Sequence, residues 1–349
     1  METTLKTIHS LPLVRRVTRA LPLSALILAG SMATGLSAHA QSSVTIYGIV
    51  DMGLSRNNNG TTPTSRHNGA PATRDTWDMK AGNTSRLGFR GNEDLGGGMY
   101  ARFHLETRFA TDTGALSNAN VFWLGRSVVA AGSKTWGEVY AGREYSAAYW
   151  VPLVLDPTLW SYVSQMGSAY TYANYTPVPA SIEATNIRWA NSVGYKSPKL
   201  GPVTFELATG LGETTRQDSV SANIQYKQGP VFVGVAYDGL NSRTNLKIIG
   251  GSYDFGFVQP MASYSEAEGG VNGDAKSYSV SALFPTGFGR VYASYGSLSP
   301  ANNQDSKKIS GGVQYDLSKR TLLYANVGSA KQVNLSRLTA IDFGIKHTF

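Results

Sequence analysis

Apolar and polar residues alternate along several stretches of this chain. From Val220 to Lys227, valine, alanine, isoleucine and tyrosine occupy every second position, with serine, asparagine, glutamine and lysine between them. The segments from Ile309 to Asp316 and from Ile341 to Phe349 repeat the pattern. Because successive side chains of a strand point to opposite faces, the alternation predicts β-strands with one apolar and one polar face.

Sixteen such strands are predicted when the alternating runs are divided at their turn residues. They lie near residues 43–54, 84–91, 98–108, 120–131, 136–144, 186–197, 202–210, 219–228, 230–239, 244–254, 256–265, 275–284, 289–297, 307–316, 320–328 and 338–349. A closed bacterial barrel has an even number of strands. The count favours an all-β fold, a 16-stranded antiparallel transmembrane β-barrel, although the alternation alone also fits one sheet of a soluble sandwich.

The predicted connections alternate between short and long. The short ones cover residues 91–97, 197–201, 228–230 and 317–319, and the long ones include 56–83 and 145–185. Outer-membrane barrels join their strands by tight turns on the periplasmic side and by longer loops outside. A connection of about forty residues within a compact domain is usually functional, so residues 145–185 are the first candidate for a functional loop.

The N-terminus has the order of a secretory signal peptide: basic residues, an apolar segment, then small residues. The apolar part, about residues 21–33, is shorter than the roughly 20 residues that a membrane-spanning helix needs. We therefore predict that residues 1–40 are a cleaved signal peptide and that residues 41–349 form one β-barrel domain. After Ala40 no apolar run reaches 18 residues, which excludes a helical membrane protein.

Charge and cysteine content exclude further classes. The predicted signal peptide holds four of the 31 Lys plus Arg residues and one of the 23 Asp plus Glu residues, so the remaining chain carries a formal charge of +5. This mild excess contains no long basic run, and we expect no nucleic-acid partner. Cysteine is absent, so disulfides and thiolate metal sites are excluded. No metal or other cofactor is expected.

Several motifs resemble the Gram-negative porins of the neisserial and β-proteobacterial type. They are SVTIYGIVDMG from Ser43, SRLGFRGNEDLGGGMYARFHLETRF from Ser85, WGEVYAGR from Trp136, NSVGYKSP from Asn191, YDLSKRTLLYANV from Tyr315 and the closing GIKHTF. They cover residues 41–349 in order, which marks this range as a porin domain. Two segments depart from the family pattern: residues 120–131 are a loose version of the fourth strand, and LDPTLW replaces the phenylalanine expected after Asp-Pro.

The resemblance implies an outer-membrane homotrimer. Each barrel would be a water-filled channel for passive diffusion of small hydrophilic solutes and ions, with its third external loop, residues 145–185, folded inward to narrow the pore. The family's C-terminal phenylalanine is its signal to the outer-membrane assembly machinery, and Phe349 supplies it. Outer-membrane lipid and lipopolysaccharide are the expected surroundings.

Alternation and resemblance together nominate the residues of the pore. By alternation, Arg90, Arg102, His104, Glu106 and Arg108 point into the lumen. By resemblance, Arg86, Arg126 and Arg188 form a basic wall at the pore constriction, opposite a loop whose interior carboxylate is Asp156. This excess of arginines over carboxylates predicts a preference for small anions, since fixed charge in a narrow channel concentrates counter-ions.

Each of these assignments has a structural alternative. The arginines could pair with Asp51, Glu106 or Asp342 and only stiffen the wall, and Asp156-Pro157 could only shape a loop turn. Aromatic residues near strand ends suit an interfacial girdle, and packing between protomers is the competing explanation for them. The girdle candidates are Tyr47, Phe109, Tyr140, Tyr237 and Phe349.

Three other functions compete with a general channel. A substrate-selective channel for small carboxylates, phosphate or peptides on the same barrel has the same sequence features. An outer-membrane barrel enzyme needs a nucleophile or activated water beside a base, and His104 is the one histidine expected to point inward, so no catalytic site is predicted. A surface adhesin does not readily explain sixteen runs with alternating short and long connections.

Overall fold

A computed structural model describes residues 43–57, 76–176, 184–185, 187–211, 219–241, 243–270 and 273–349. By its contacts the chain divides into two units, Met1–His39 and Ala40–Phe349. All described residues belong to the second unit. The predicted signal peptide, residues 1–40, lies outside the described residues.

The described residues form eighteen strands, of which sixteen are long. In chain order they are β1 (Ser43–Arg56), β2 (Trp77–Lys80), β3 (Ser85–Gly96), β4 (Met99–Phe109), β5 (Arg126–Ser133), β6 (Gly137–Tyr145), β7 (Ala184–Thr185), β8 (Arg188–Lys196), β9 (Val203–Gly210), β10 (Ser219–Gln228), β11 (Val231–Asn241), β12 (Thr244–Tyr253), β13 (Gln259–Gly270), β14 (Gly273–Thr286), β15 (Gly289–Pro300), β16 (Ser306–Asp316), β17 (Thr321–Gln332) and β18 (Leu338–Thr348). Between β6 and β7 lie a 3₁₀ turn (Ala147–Tyr149), helix α1 (Trp150–Val154) and a π-helical turn (Gly167–Thr171). No helix in the described ranges is long and apolar enough to span a membrane.

The strands close into an antiparallel barrel. The first strand, β1, pairs with β3 through Ser43 to Ile49 and with β18 through Ile49 to Arg56, so the sheet has no free edge at this point. Short strand β2 continues the ladder beside β1, and β7 pairs with β8. The predicted closed barrel of sixteen strands is confirmed.

Several predicted boundaries are wrong, and two of them have a clear physical reason. The fourth long strand begins at Arg126 rather than near residue 120, because residues 120–125 form turns, starting where the amide of Asn120 donates to the Asn118 side chain over 2.9 Å. The tight turn predicted at 91–97 lies further along the chain. Residues 92–94 continue to pair with β4, and only Gly96, Gly97 and Gly98 adopt the positive φ angles of the turn.

The two faces of the strands differ as the alternation predicts. In β10, the apolar side chains of Val220 and Ile224 are 55% and 53% exposed, whereas Ser221 and Asn223 are almost fully buried. An exposed apolar band on a closed barrel is the surface that a lipid bilayer covers. The polar residues therefore face the barrel interior.

Tyr47 and Tyr140 do not belong to the predicted aromatic girdle. Both point inward: the hydroxyl of Tyr47 donates to Glu106 over 2.9 Å, and that of Tyr140 donates to Glu206 over the same distance. Each ring lies over a glycine directly opposite on the neighbouring strand, Gly88 or Gly194, where a Cβ atom would lie within 2.3 Å of the ring. The other three candidates differ in exposure: Tyr237 and Phe349 are exposed, and Phe109 is half-buried.

The long connection after β6 packs against polar side chains of the interior face. Asn223 donates to the carbonyl of Ala147 over 2.6 Å, Ser310 donates to that of Ser164 over 2.6 Å, and Asp342 accepts from the amide of Val163 over 2.8 Å. These partners belong to β10, β16 and β18, so the described part of the connection contacts strands far apart around the barrel.

Buried apolar contacts hold the same connection in place. Val151, Leu155, Met166 and Tyr170 join Leu246 and Leu298 of the strands in one hydrophobic cluster. Close approach requires glycine on the strand side: a Cβ atom at Gly250 would lie 2.3 Å from Leu155. In the described part of the connection, the residues other than glycine with positive φ angles are Leu159, Trp160, Tyr162, Ala173 and Asn174. This rarely populated backbone persists because the surrounding contacts determine it.

Candidate functional site

A cavity of about 650 Å³ lies between the long connection and the strands β3, β4, β5 and β8. Among the described residues that line it, six carry basic side chains and one, Glu106, carries a carboxylate. The basic residues are Lys80, Arg86, Arg108, Arg126, Arg188 and Lys346. The three arginines predicted for the constriction therefore line one cavity.

Strand register explains how these side chains meet. Arg86 of β3 lies directly opposite Arg108 of β4, and Glu106 lies directly opposite Arg126 of β5. Like charges directly opposite each other in a sheet reduce its stability. The opposed side chains of Arg86 and Arg108 therefore reduce the stability of the sheet at this cavity.

Arg86 is held by an amide rather than by an acid. Its guanidinium donates to the side-chain oxygen of Asn83 over 2.8 Å, and within the described ranges it makes no ion pair. Its Nε is buried without a hydrogen-bond partner there. Arg86 therefore does not form the ion pair with Asp51, Glu106 or Asp342 that the alternative predicts.

Arg126 is paired, although not with a predicted partner. Its Nε lies 2.7 Å from Glu144, a carboxylate that also lies 3.7 Å from Lys196. A second nitrogen of its guanidinium lies 3.0 Å from Nδ1 of His104. These contacts fix the orientation of Arg126 and offset part of its charge.

Tyr145 connects two of the arginines. Its hydroxyl accepts from Arg188 over 2.7 Å and from Arg108 over 2.8 Å, and the guanidinium of Arg188 lies 4.5 Å from the centre of its ring. Arg108 also forms an ion pair with Glu106 at 2.6 Å. A single tyrosine thus contacts two cations on the cavity wall.

Aromatic and aliphatic side chains of the long connection also line the cavity. Tyr149, Trp150, Leu153, Leu159, Trp160 and Tyr162 line it from the long connection. Burial raises the pKa of Tyr149 and the pKa of Tyr162 above the ordinary phenol value, so both rings are neutral at physiological pH. In its described part, the connection therefore adds no charge to the cavity.

Asp156 does not join the cavity. One of its carboxylate oxygens accepts from the amide and hydroxyl of Thr158, and the other accepts from the amides of Met166 and Gly167, over distances of 2.6 to 3.0 Å. The side chain is fully buried within the connection. Its geometry favours the predicted alternative, in which Asp156 shapes the loop, over a place at the constriction.

Of the predicted lumen residues, Glu106 and Arg108 line the first cavity, and Arg90, Arg102 and His104 line a second one of about 360 Å³. Arg126 and Lys196 also line the second cavity. Arg102 forms an ion pair with Glu138 of β6. The ring nitrogen Nε2 of His104 lies 2.5 Å from the hydroxyl of Tyr47. A histidine held between Tyr47 and Arg126 has no nucleophile beside it among these contacts.

Sequence reasoning did not single out Tyr145, Lys346 and the tryptophans of the connection as site residues. The alternation at the C-terminus does point Lys346 inward, and three aromatic residues within 145–150 mark the start of the connection. Neither signal says that these side chains meet the arginines, because that depends on how the connection folds.

The chain is similar to known outer-membrane proteins over most of its length. The family model described as Gram-negative porin matches residues 24–335. Outer membrane porin protein 32 of Delftia acidovorans is 30% identical, with 93% of this chain and 99% of that protein covered. An outer membrane porin protein of Bordetella pertussis is 27% identical over the same shares.

A solved structure, described as an anion-selective porin from Comamonas acidovorans, superposes with a TM-score of 0.74 at 24% identity. It covers 88% of this chain and 100% of that one. The closed barrel, the basic interior cavity and the family match agree. The chain therefore belongs to the Gram-negative porin family: it is an outer-membrane β-barrel that forms a channel for passive diffusion, not an enzyme.

Proposed function

We propose that this porin prefers anions and that Arg86, Arg126 and Arg188 line its constriction. The observation that carries the proposal is the cavity lining of six basic side chains and one carboxylate in the described part of the chain. We infer that the long connection folds into the barrel and narrows the aqueous path to this cavity. An anion in the narrow path would be attracted by the basic wall and a cation repelled.

The basic groups contribute unequally in this proposal. Arg108 and Arg126 are compensated in part by Glu106 and Glu144. Arg86 and Lys346 have no carboxylate within ion-pair distance among the described residues. Arg86 should therefore have a large effect on a permeating ion. The similarity to the Comamonas acidovorans protein, itself described as an anion-selective porin, is consistent with the same preference.

The zero-current potential of the purified porin in a planar bilayer under a KCl gradient tests the proposal. We expect a potential whose sign shows preferential movement of chloride. A potential that shows potassium preference would mean that carboxylates outside the described residues, such as Glu183, dominate the constriction. The same channel in KCl at molar concentration should lose most of its preference, because the Debye length falls to about 3 Å.

The assembled state is a further part of the proposal. We infer a homotrimer in outer-membrane lipid and lipopolysaccharide, assembled from a mature chain of residues 41–349, with Phe349 read by the assembly machinery. Phe349 already contacts the barrel, since its backbone exchanges hydrogen bonds of 3.0 and 3.1 Å with Gly48. Native mass spectrometry of the protein extracted from outer membranes tests the trimer and the mature N-terminus together; a monomer, or a chain that retains residues 1–40, would contradict them.

A further inference from the structure

The long connection presents a continuous aromatic layer to the cavity. Tyr149 stacks on Tyr145 with ring centres 4.4 Å apart and planes 10° from parallel. Trp160 meets the ring of Tyr149 edge-on at 5.0 Å and 90°. Trp160 remains partly exposed, and it lines the same cavity as the arginines. A solute in this space would contact both aromatic rings and guanidinium groups.

Buried polar atoms without a partner cluster at the same cavity. In the described ranges, Nε1 of Trp160, the hydroxyl of Tyr162, Nε of Arg86 and Nε of Arg108 are buried from solvent and make no hydrogen bond. Their residues all line the cavity. Burying a donor without an acceptor is costly, and such groups normally have a partner. These residues therefore form a polar wall whose hydrogen bonds are incomplete within the described part of the protein.

The directly opposed Arg86 and Arg108 belong to this wall. A carboxylate placed near both guanidinium groups would relieve their repulsion and could bind in the paired geometry that arginine offers to carboxylates. Chloride can also relieve the repulsion between the two guanidinium groups, but it has no ring that could pack against the aromatic layer. The cavity volume of about 650 Å³ falls within the range typical of small-molecule sites.

We propose that the constriction preferentially binds planar aromatic monocarboxylates, with the carboxylate toward Arg86 and Arg108 and the ring against Trp160. This inference rests on the proposed anion preference and names a solute class for it. Aromatic rings attract one another in stacked or edge-to-face contact beyond the burial of their area. The aromatic layer thus selects among organic anions of equal charge.

Block of the KCl current by benzoate and by cyclohexanecarboxylate tests the proposal. The two anions share one carboxylate and a six-membered ring, and only benzoate is planar and aromatic. We expect the half-blocking concentration of benzoate to be about two- to tenfold lower, the range that aromatic contacts supply. Equal block by the two anions overturns the proposal.

Matched tryptophan substitutions locate the effect. Trp160→Leu should bring the ratio of the two half-blocking concentrations close to one, whereas Trp160→Phe, which keeps a ring, should preserve most of it. Trp136→Leu makes the same change at an exposed turn and should leave the ratio at the wild-type value. If Trp160→Leu has the same ratio as the wild-type channel, the proposal is overturned. If Trp160→Leu does not fold, the ratios measured in the wild-type channel and in Trp160→Phe decide.

The KCl gradient separates this inference from the proposed function. If the channel prefers chloride but benzoate and cyclohexanecarboxylate block it equally, only the inferred preference for aromatic anions is contradicted. A potassium-preferring channel contradicts the proposed anion preference itself, and with it the basis for carboxylate binding.

Discussion

Replacing Arg86 and Arg188 together with glutamate should reverse the ion preference of the channel from chloride to potassium. Both side chains line the basic cavity that we propose as the constriction, and each substitution removes a positive charge and adds a negative one. At an effective dielectric constant of about 20, a unit charge about 8 Å from a permeating ion changes its energy by about 2 kcal/mol. Since about 1.4 kcal/mol is a factor of ten, the chloride-to-potassium permeability ratio should fall by about tenfold or more.

The zero-current potential under a KCl gradient measures this change. Alanine at the same two positions should give a smaller shift in the same direction, because it removes the positive charges without adding negative ones. The proposed trimer should keep nearly its wild-type stability, since neither residue faces the exposed outer surface. The thermal transition of the trimer in detergent checks that expectation.

The matched control is the double variant Arg320→Glu and Arg337→Glu. It makes the same change in total charge at two exposed positions outside the cavity. We expect its potential to remain close to that of the wild type, because exposed charges further than a Debye length from the pore are screened. If the Arg86 and Arg188 variants also keep the wild-type potential, these arginines are structural and the constriction lies elsewhere.

The barrel could be predicted from sequence because its physical determinant is local. A strand in lipid must alternate between apolar and polar positions, and residues such as Val220 to Lys227 display that alternation directly. The prediction failed where a partner on another strand decides the outcome. Tyr47 and Tyr140 are apolar enough to face lipid, but an opposing glycine, Gly88 or Gly194, leaves room for each ring inside the barrel. There, the hydroxyl of each tyrosine donates to a carboxylate.

The charged residues of the site could be predicted from sequence, but the contacts between them could not. The alternation points Arg102, Glu106 and Arg108 inward, and family resemblance selects Arg86, Arg126 and Arg188. Which of them is compensated depends on long-range geometry: Arg126 finds Glu144 rather than Asp51 or Asp342. Those two acids are engaged elsewhere, Asp51 by Tyr324 and the amide of Gly82, and Asp342 by Asn326 and the amide of Val163.

The limit of prediction from sequence is clearest for the aromatic residues that line the cavity. Tyr145 ends a strand, and its ring stacks on a residue of the long connection whose path no periodic pattern describes. Trp160 adopts a positive φ angle that tryptophan rarely populates, and no local signal predicts it. Such a conformation is determined by the packing of the whole connection, which is why sequence reasoning leaves open whether Asp156 faces the pore or shapes a loop turn.

Replacing Asp156 with alanine should loosen the long connection while leaving the barrel intact. The carboxylate is fully buried and accepts from four donors on three residues, joining Thr158 to Met166 and Gly167. Its removal leaves three buried backbone amides without an acceptor, and we expect the connection to lose about 3–5 kcal/mol of local stability. The segment between these anchors carries Leu159, Trp160 and Tyr162, which line the cavity.

The loosened connection should widen and destabilise the constriction. Single-channel recordings of Asp156→Ala should therefore show a higher mean conductance and more current noise in the open state than the wild type. Limited proteolysis should cut within residues 156–167 at an increased rate. The thermal transition of the barrel should change little, because the strand ladder contains none of the lost hydrogen bonds.

Two further variants decide whether the buried hydrogen bonds are responsible. Asp156→Asn keeps one acceptor oxygen and should give an intermediate conductance and cleavage rate. Asp112→Ala removes a carboxylate from an exposed loop and should behave as the wild type. Wild-type conductance, noise and cleavage in Asp156→Ala would mean that the apolar contacts of Val151, Leu155 and Met166 hold the connection without the carboxylate. In that case the geometry of the constriction depends on the hydrophobic cluster, and substitutions there would be required to open it.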